Sequence, residues 1–281
     1  MKKESRIPLI RGLRFIFIIF FLFLAFVPWD RYFDAGVDLK TIGVGPSLQH
    51  LLGTDNLGRD LLVRLSSVLR DVIVPIWLTV LISSLAGIGI AIIVLLLSEE
   101  NTAFKRVIDF LGHGFSFIAS VPIGILVFLL AVYYEETGLR MVLVGLSVLL
   151  AIRSYLQVFD LYAEDKRLGY WLAHEAQGGT LFSRLIRYGL GMRWKESILL
   201  ALVFHLQIAV TIESALSYLG FGIQEPQASF GNMLASHFDM YLKGDWGILL
   251  IILIVMGLTF QFPKNVAIIG KYLRRKFIFV K

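Results

Sequence analysis

Two long apolar runs without charged side chains constrain this chain more than any other feature of its sequence. Residues 72–98 contain no charge, and residues 110–134 are interrupted only by His113. About 20 consecutive apolar residues are enough to cross the hydrocarbon core of a bilayer as a helix. Lipid cannot hydrogen-bond the backbone, so a spanning chain must form helices or a closed barrel, and barrel strands alternate apolar and polar residues. The unbroken runs therefore predict membrane-spanning helices.

The composition also indicates a membrane protein. Four further segments bring the number of predicted spans to six. Of 281 residues, 57% are hydrophobic and 17% are charged, against about a quarter charged in a soluble domain. Residues 246–263 are just long enough to span. Segments 15–29, 141–152 and 197–212 are shorter, and they suffice if Arg14, Arg153 and Lys195 extend their charged ends to the interface. We predict an all-α polytopic membrane protein with about six transmembrane helices, kinked at Pro75 and Pro122.

The distribution of positive charge predicts the topology. With six spans both termini lie on one side, and the opposite side receives only seven of the 27 basic residues, namely Arg31, Lys40, Arg59, Arg64, Arg70, Arg140 and Lys243. The positive-inside rule assigns the richer side to the cytoplasm. We therefore predict that both termini are cytoplasmic. Residues 15–27 are predicted to be an uncleaved first helix, because no small-residue cleavage site follows them.

Two polar stretches are long enough to carry a function. Residues 30–70 form the predicted outer loop, and residues 159–196 form the predicted cytoplasmic loop. No internal repeat or separate soluble domain is visible in the sequence. We divide the chain into residues 1–71, which hold the first helix and the outer loop, and residues 72–281, which hold a core of about five helices and the cytoplasmic loop.

The outer loop contains the string HLLGTDNLGRDLL at residues 50–62. Its glycines permit tight turns, and Thr54 or Asp55 is suited to cap a helix. Asp60 and Arg64 have the spacing of an i,i+4 ion pair. An apolar stripe predicts a short amphipathic helix on the outer surface, formed by Leu57, Leu61, Leu62, Leu65 and Val68. A loop that rests on the membrane surface is the alternative interpretation.

The order of residues in this string resembles the signature of the permeases of dipeptide and oligopeptide ABC importers, H-x-L-G-T-D-x-x-G-R-D-x-x-x-R. The signature places are filled by His50, Leu52, Gly53, Thr54, Asp55, Gly58, Arg59, Asp60 and Arg64. The resemblance implies the fold of a type I ABC importer permease, and it implies that this motif is extracytoplasmic.

A second string, ESALSYLGFGIQEP at residues 213–226 followed by SFG at 229–231, resembles the family pattern E-x-x-L-S-F-L-G-L-G-x-Q-x-P followed by S-W-G. Closely spaced glycines before a proline favour a compact turn, which membrane depth tolerates only against protein or a water-filled cavity. We predict a pathway mouth or gate formed by Glu213, Leu219, Gly220, Gly222, Gln224 and Pro226. Glu213 should lie near the outer interface or face the bundle interior, because a charge at mid-bilayer costs about 2.5–3.5 kcal/mol. A simple interfacial charge at a helix end is the alternative.

The cytoplasmic loop resembles the segment with which such permeases dock into a cleft on their ATPase, a pattern of two Ala, a Gly and an Ile-Leu-Pro ending. Ala173, Ala176, Gly178, Arg187 and Leu190 fit, whereas His174 replaces the second Ala and Gly191 replaces the Pro. The glycine pair should break one helix and Thr180 should cap the next. The resemblance assigns ATPase coupling to Ala173, His174, Glu175, Ala176, Gly178 and Gly179. The alternative is an amphipathic helix on anionic lipid, because many basic residues lie nearby.

No catalytic pattern appears in the sequence. There is no cysteine, the five histidines are scattered, and no phosphate-binding Gly-x-x-x-x-Gly-Lys-Ser/Thr loop is present. We predict no catalytic, cofactor or metal residues, and we expect His113 and His205 to be hydrogen-bonded packing residues. If the chain is an ABC permease, ATP and Mg²⁺ are bound by partner subunits.

The resemblance implies an assembly in the bacterial inner membrane. It implies a heterodimer with a second related permease, two ATPase subunits and an extracytoplasmic solute-binding protein, with lipid but no nucleic acid as a further partner. Some members of the family import nickel or other small solutes, and the sequence does not separate these from peptide importers. From another class, a secondary transporter would show inverted repeats or intramembrane acid-base chains, whereas a membrane scaffold would not assemble with an ATPase.

Overall fold

The computed structural model describes residues 6–33, 36–98, 102–134, 138–238, 242 and 246–278. Within these ranges the chain is helical, and its only extended pairing is an isolated bridge between Thr54 and Asp60. The prediction of an all-α fold is confirmed. Several basic residues used in the topology argument lie outside the described residues, among them Lys2, Lys3, Lys243 and Lys281.

The helices of the described residues are numbered here in chain order. In order they are α1 (Arg6–Phe26), α2 (Leu61–Ser67), α3 (Val74–Ser98), α4 (Thr102–Ser120), α5 (Ile123–Tyr134), α6 (Leu139–Asp165), α7 (Gly169–Ala176), α8 (Leu181–Arg184), α9 (Trp194–Tyr218), α10 (Phe230–Ser236) and α11 (Gly247–Ile278). A short 3₁₀ turn follows α1 at Trp29–Arg31. Two π-helical segments, Val68–Ile73 and Leu185–Arg193, join α2 to α3 and α8 to α9.

Four helical stretches of the described chain are long and apolar enough to cross a membrane, namely Leu61–Ser98, Leu139–Asp165, Trp194–Tyr218 and Gly247–Ile268. A fifth exists if Phe110–Ser120 and Ile123–Tyr133 act as one span, although these two helices meet at 87°. The apolar part of α1, Arg14–Phe26, is shorter. The chain is therefore a multi-pass membrane protein. The count of six spans, the cytoplasmic termini and the division at residue 71 stay predictions.

The kink predicted at Pro122 is a complete break between α4 and α5. Two carbonyls at this break, those of Ala119 and Val121, accept hydrogen bonds from Nη2 of Arg153 in α6, at 3.3 and 3.4 Å. Arg153 is half-buried, and its guanidinium bonds to backbone at this break. The extension of its charged end to the interface stays a prediction. At Pro75 the helix is not broken. The wider winding of Val68–Ile73 precedes it instead, at the place where a proline disturbs regular α-helical bonding.

The described residues form two compact units. The first contains α1, α2, α10, α11 and the last two turns of α9. Phe21 of α1 is buried there against Phe262 of α11, with ring centroids 4.4 Å apart. Residues 61–66 of α2 are buried as well.

The second unit contains most of α3, α4 to α8 and the first part of α9. Its core includes Tyr155 and Val158 of α6 together with three residues from the chain that follows, Trp171, Leu181 and Trp194. A glycine lets α3 approach α6 closely, since a Cβ on Gly87 would lie 2.2 Å from the Ala151 carbonyl oxygen. The segment between α6 and α9 thus packs onto the ends of those helices.

Candidate functional site

The loop that precedes α2 is folded by the first sequence motif. Thr54 is buried, its Oγ1 accepts from the Val44 N–H at 2.9 Å, and it donates to the Thr41 carbonyl. Gly53 and Gly58 both have positive φ, +83° and +73°, so the predicted tight turns are confirmed. Gly58 is also sterically required, because a Cβ there would lie 1.7 Å from the Asp38 carbonyl oxygen.

Asp60, rather than Thr54 or Asp55, caps helix α2. Its Oδ1 accepts from the N–H groups of Leu62 and Val63 at 2.9 and 3.2 Å, and its Oδ2 lies 3.0 Å from Nδ1 of His50. The predicted cap was wrong because the Asp55 carboxylate is occupied by other donors. Asp60 directly precedes the first helical residue, which is the position that a capping side chain needs.

Helix α2 is buried and does not lie as an amphipathic helix on the surface. Residues 61–66 are all buried, and the helix continues through Val68–Ile73 into α3. The predicted amphipathic helix is therefore wrong, and so is the predicted pair between Asp60 and Arg64. Arg64 binds Asp55 and Glu225 instead, because these carboxylates lie beside its guanidinium while Asp60 turns back to cap the helix.

The buried carboxylate of Asp55 is the centre of an ion-pair network. It accepts from the N–H groups of Leu57 and Arg59 at 2.8 and 2.9 Å, from Nε of Arg59 at 2.7 Å and from Nη1 of Arg64 at 3.0 Å. A carboxylate with no exposed surface is tolerated only when it is paired and hydrogen-bonded in this way.

Glu225 joins the two sequence motifs, and sequence reasoning did not select it. Its Oε2 lies 2.7 Å from Nη1 of Arg59, and its Oε1 lies 2.7 Å from Nη2 of Arg64. Asp55, Arg59, Arg64 and Glu225 therefore form an ionic cluster with two positive and two negative charges. The only signal that the sequence offered for Glu225 was its place three residues after Gly222 and directly before Pro226, which is a variable place in the motif.

Glu213 lies inside the protein near the end of α9, which agrees with the prediction that it faces the bundle interior. It has no exposed surface, and its carboxylate accepts from the hydroxyls of Ser217 and Ser214 at 2.7 and 3.3 Å. Ser217 Oγ accepts in turn from the Ile223 N–H at 2.8 Å. Glu213 therefore holds the loop that follows α9, through one serine.

The loop after α9 contains the remaining residues predicted for a pathway or gate. Gly220 has φ +83° and ends the helix, and the Gln224 amide donates to its carbonyl at 2.6 Å. Gly222 packs on Ser217, because a Cβ there would lie 2.6 Å from the Ser217 nitrogen. Leu219, Gln224 and Pro226 are exposed, so the tip of the compact turn presents one apolar side chain, one amide and one proline.

Helix α10 is bound to both motifs. Ser229 caps it in a reciprocal arrangement with Asn232, whose amide also donates to the carbonyls of Ile223 and Gln227 at 3.2 and 2.8 Å. At its other end, the Asn56 side chain donates to the Ser236 carbonyl at 2.9 Å, and its backbone N–H donates to Nε2 of His237 at 3.4 Å. His237 is a site residue that sequence reasoning missed.

The chain from 166 to 193, here the α6–α9 segment, has the helix–turn–helix form that the sequence predicted. Helix α7 ends at Ala176, Gly178 adopts φ +81°, and Thr180 caps α8 by accepting from the Ser183 N–H. Of the residues assigned to coupling, Ala173, Glu175, Ala176 and Gly178 are exposed, and so are the apolar neighbours Leu172, Phe182 and Ile186. The segment therefore presents a mixed apolar face at its turn.

His174, the main departure from the family pattern, strengthens the turn. Its Nε2 lies 2.9 Å from Ser183 Oγ, and its ring meets Tyr188 edge to face at 5.4 Å. The ring fills the place that a side chain at 179 would need, since a Cβ on Gly179 would lie 2.2 Å from Cδ2 of His174. Glu175 adds an ion pair with the buried Arg184 at 2.8 Å.

This packing predicts the effect of Gly179→Ala, a loss of about 1–3 kcal/mol of stability through overpacking. His174→Ala combined with Gly179→Ala should recover part of the loss, because the ring is removed while the His174 carbonyl, 2.7 Å from the new Cβ, remains. Gly169→Ala is the matched control, because nothing lies near its Cβ position. Thermal unfolding of the purified variants in detergent measures all three. Equal melting temperatures for Gly179→Ala and Gly169→Ala would contradict the packing.

The fold and these contacts define a class, a polytopic helical membrane protein with two motifs joined on one unit and an exposed helical turn on the other. No protein-family model matches the chain. It is 27% identical over 228 residues to the oligopeptide transport system permease protein OppC of Bacillus subtilis, covering 78% of this chain and 69% of that protein.

Two further relatives agree with this one. The chain is 27% identical over 246 residues to the dipeptide transport system permease protein DppC of Bacillus subtilis, covering 82% of this chain and 71% of that protein. It is also 27% identical over 227 residues to a putative peptide permease protein of Brucella suis, covering 79% and 71%. The resemblance to the permeases of peptide ABC transport systems, first indicated by the two motifs, is confirmed.

Proposed function

We propose that this chain is a transmembrane subunit of an ABC importer that forms the translocation pathway for dipeptides or oligopeptides. The observation that carries the proposal is the similarity to oligopeptide and dipeptide permeases over about four fifths of the chain. Both motifs that carry the resemblance lie in one contact network, which supports a shared role for them. In this proposal the chain works with a second permease, two ATPase subunits and an extracytoplasmic solute-binding protein in the bacterial inner membrane.

The α6–α9 segment has the features of a docking element. A short helix and the turn after it expose Leu172, Phe182 and Ile186 beside small residues, and small residues let a partner's cleft approach the backbone closely. Helix-in-groove recognition uses an arrangement of this kind. Lys166, Arg167 and Arg187 are exposed nearby, which would favour an acidic rim around the cleft.

Transport would proceed by alternating access. ATP binding by the partner ATPases would draw the docked segments together, and the resulting rigid-body movement would open the pathway outward to accept the solute. Helix α9 begins directly after the α6–α9 segment and carries Glu213 near its other end, so one continuous helix links the two functional regions along the chain. The solute shifts this equilibrium only through its different affinity for the two states.

Single-cysteine labelling tests the topology, and the cysteine-free chain has no background reaction. We expect a membrane-impermeant maleimide to label Gln227→Cys in intact cells, and to label Ala176→Cys only after the membrane is opened. Both side chains are exposed in the structure, so a difference in labelling reports the side of the membrane. Labelling of Ala176→Cys from outside would overturn the proposed docking role.

Co-purification and transport test the function. The tagged chain, expressed with the products of neighbouring genes, should co-elute with an ATPase, and proteoliposomes should take up labelled peptide only with internal ATP. Ala176→Glu should reduce ATPase recovery about tenfold or more, because an unpaired charge in an interface weakens binding. Gln227→Glu is the matched control and should retain the ATPase. Uptake by the chain alone, without ATP, would refute the proposal.

A further inference from the structure

The two ends of the α6–α9 segment are joined by one buried hydrogen bond. The Nε1–H of Trp194 donates to Oδ2 of Asp165 at 2.9 Å. Asp165 is the last residue of α6 and Trp194 is the first residue of α9. Both side chains are almost completely buried, at 1% and 0% relative exposure. The contact therefore closes the segment at its base, away from the exposed turn.

The chemistry of the pair makes this contact specific. A buried carboxylate requires hydrogen-bond donors, and an indole nitrogen can only donate. Bonds to charged acceptors are also stronger than bonds between neutral groups. Loss of the Trp194 donor would thus leave a buried acceptor without one of its donors. A solvated pair would lose less on removal of the donor, because water would take the place of the missing partner.

The helices on both sides of the exposed turn pack into the same buried cluster as Trp194. This cluster contains residues from before and after the turn together with residues of α6 and α9. These are Trp171 of α7, Leu181 of α8, Leu185 directly after α8, Tyr155 and Val158 of α6, and Trp194 of α9. Arg184 lies over the Trp171 ring, 5.4 Å from its centroid, and is ion-paired to Glu175. Contacts therefore connect α7 and α8, on the two sides of the turn, with the end of α6 and the start of α9.

We infer that Asp165 and Trp194 are positioning residues that clamp the α6–α9 segment onto both helices, so that a displacement of its exposed turn moves α6 and α9 together. This inference rests on the proposed coupling role of the segment. Neither residue belongs to the docking face, because neither is exposed. Loss of this contact should therefore affect the transmission of movement and leave docking to the ATPase intact. The two effects can be measured separately.

Replacing Trp194 by Phe tests the clamp, because it keeps an aromatic ring and removes only the donor and the second ring. Hydrogen exchange of the purified chain should become about tenfold faster in α7 and α8, the fold-change expected from loss of one hydrogen bond to a charged group. Trp29→Phe is the matched control, since Trp29 Nε1 donates to the Leu24 carbonyl at 3.1 Å outside the segment, and α7 and α8 should be unaffected.

Coupling is measured in the assembled complex. With Trp194→Phe, ATPase should still co-purify, while its stimulation by substrate-loaded binding protein should fall by at least about fivefold, the low end of a typical coupling effect. Asp165→Asn keeps an acceptor oxygen and should retain most of the stimulation, whereas Asp165→Leu should not. The two Asp165 variants test the positioning role even if the Trp194→Phe protein fails to fold.

The outcomes separate the inference from the proposed function. If the unmodified chain binds no ATPase, the proposed function fails, and hydrogen exchange still reports whether the contact holds the segment. If exchange and stimulation are unchanged in Trp194→Phe and Asp165→Leu, the clamp is wrong. If ATPase recovery and stimulation fall in parallel, or if Asp165→Asn behaves like Asp165→Leu, the residues are structural only and the positioning role is rejected.

Discussion

Replacing Arg64 by Met is expected to lower the stability of the chain by about 3–5 kcal/mol, because it breaks a buried ion pair and leaves a charge uncompensated. Arg64 lies 3.0 Å from Asp55 and 2.7 Å from Glu225, and Asp55 has no contact with solvent. Arg59 alone would then face both carboxylates. The ionic cluster is the main link between the two motifs, so the loop after α9 should lose order as well.

Arg70→Met is the matched control for this prediction. Arg70 pairs with Asp71 at 2.9 Å, but both side chains are well exposed, at 39% and 45%. An exposed pair contributes about 0–1 kcal/mol. Thermal unfolding in detergent, followed for both variants under the same conditions, should show a large difference in melting temperature. Similar melting temperatures would mean that the ionic cluster contributes no more than a surface pair.

Gly231→Ala is expected to have the second large effect, because the added methyl group would collide with backbone. Its Cβ would lie 2.0 Å from the Ser214 carbonyl oxygen and 2.6 Å from the Tyr218 nitrogen. Neither atom can move without distorting α9, so α10 must shift away. Overpacking of this kind costs about 1–3 kcal/mol and sometimes more. It should also reduce peptide uptake, since Ser229 and Asn232 hold the loop that follows Glu213.

Gly257→Ala makes the same chemical change in the middle of α11, where nothing lies near the Cβ position. Alanine favours a helix over glycine by about 1 kcal/mol, so this control should be neutral or slightly stabilising. Melting temperature in detergent and peptide uptake in proteoliposomes measure both variants. A Gly231→Ala protein that melts and transports like Gly257→Ala would contradict the close approach of α10 to α9.

Local features of the chain were predictable to the extent that they depend on neighbours in sequence. The turns at Gly53 and Gly58, the break at Pro122 and the capped helix after Thr180 all follow from backbone chemistry within a few residues. The cap of α2 was assigned wrongly to Thr54 or Asp55. Several groups near a helix start can accept a hydrogen bond, and the choice depends on which carboxylate is already bound elsewhere.

The residue that joins the motifs was out of reach of such reasoning. Glu225 lies far along the chain from Arg59 and Arg64, and only the folded chain brings their side chains within 2.7 Å. The same holds for Arg153, whose bonds to the carbonyls of Ala119 and Val121 could not be predicted from the sequence. An arginine can extend in many directions, so its partner is decided by what lies beside it.

The sequence by itself determined that this is a helical membrane protein, where four helices of spanning length lie, and which permease family it resembles. These properties follow from hydropathy, from helix and turn chemistry and from two ordered motifs, all of which are local. Only the tertiary structure decided that Asp55, Arg59, Arg64 and Glu225 form one neutral cluster and that Asp165 meets Trp194. Ion pairs and buried hydrogen bonds depend on distances of a few ångströms between residues far apart in the chain, and packing alone sets those distances.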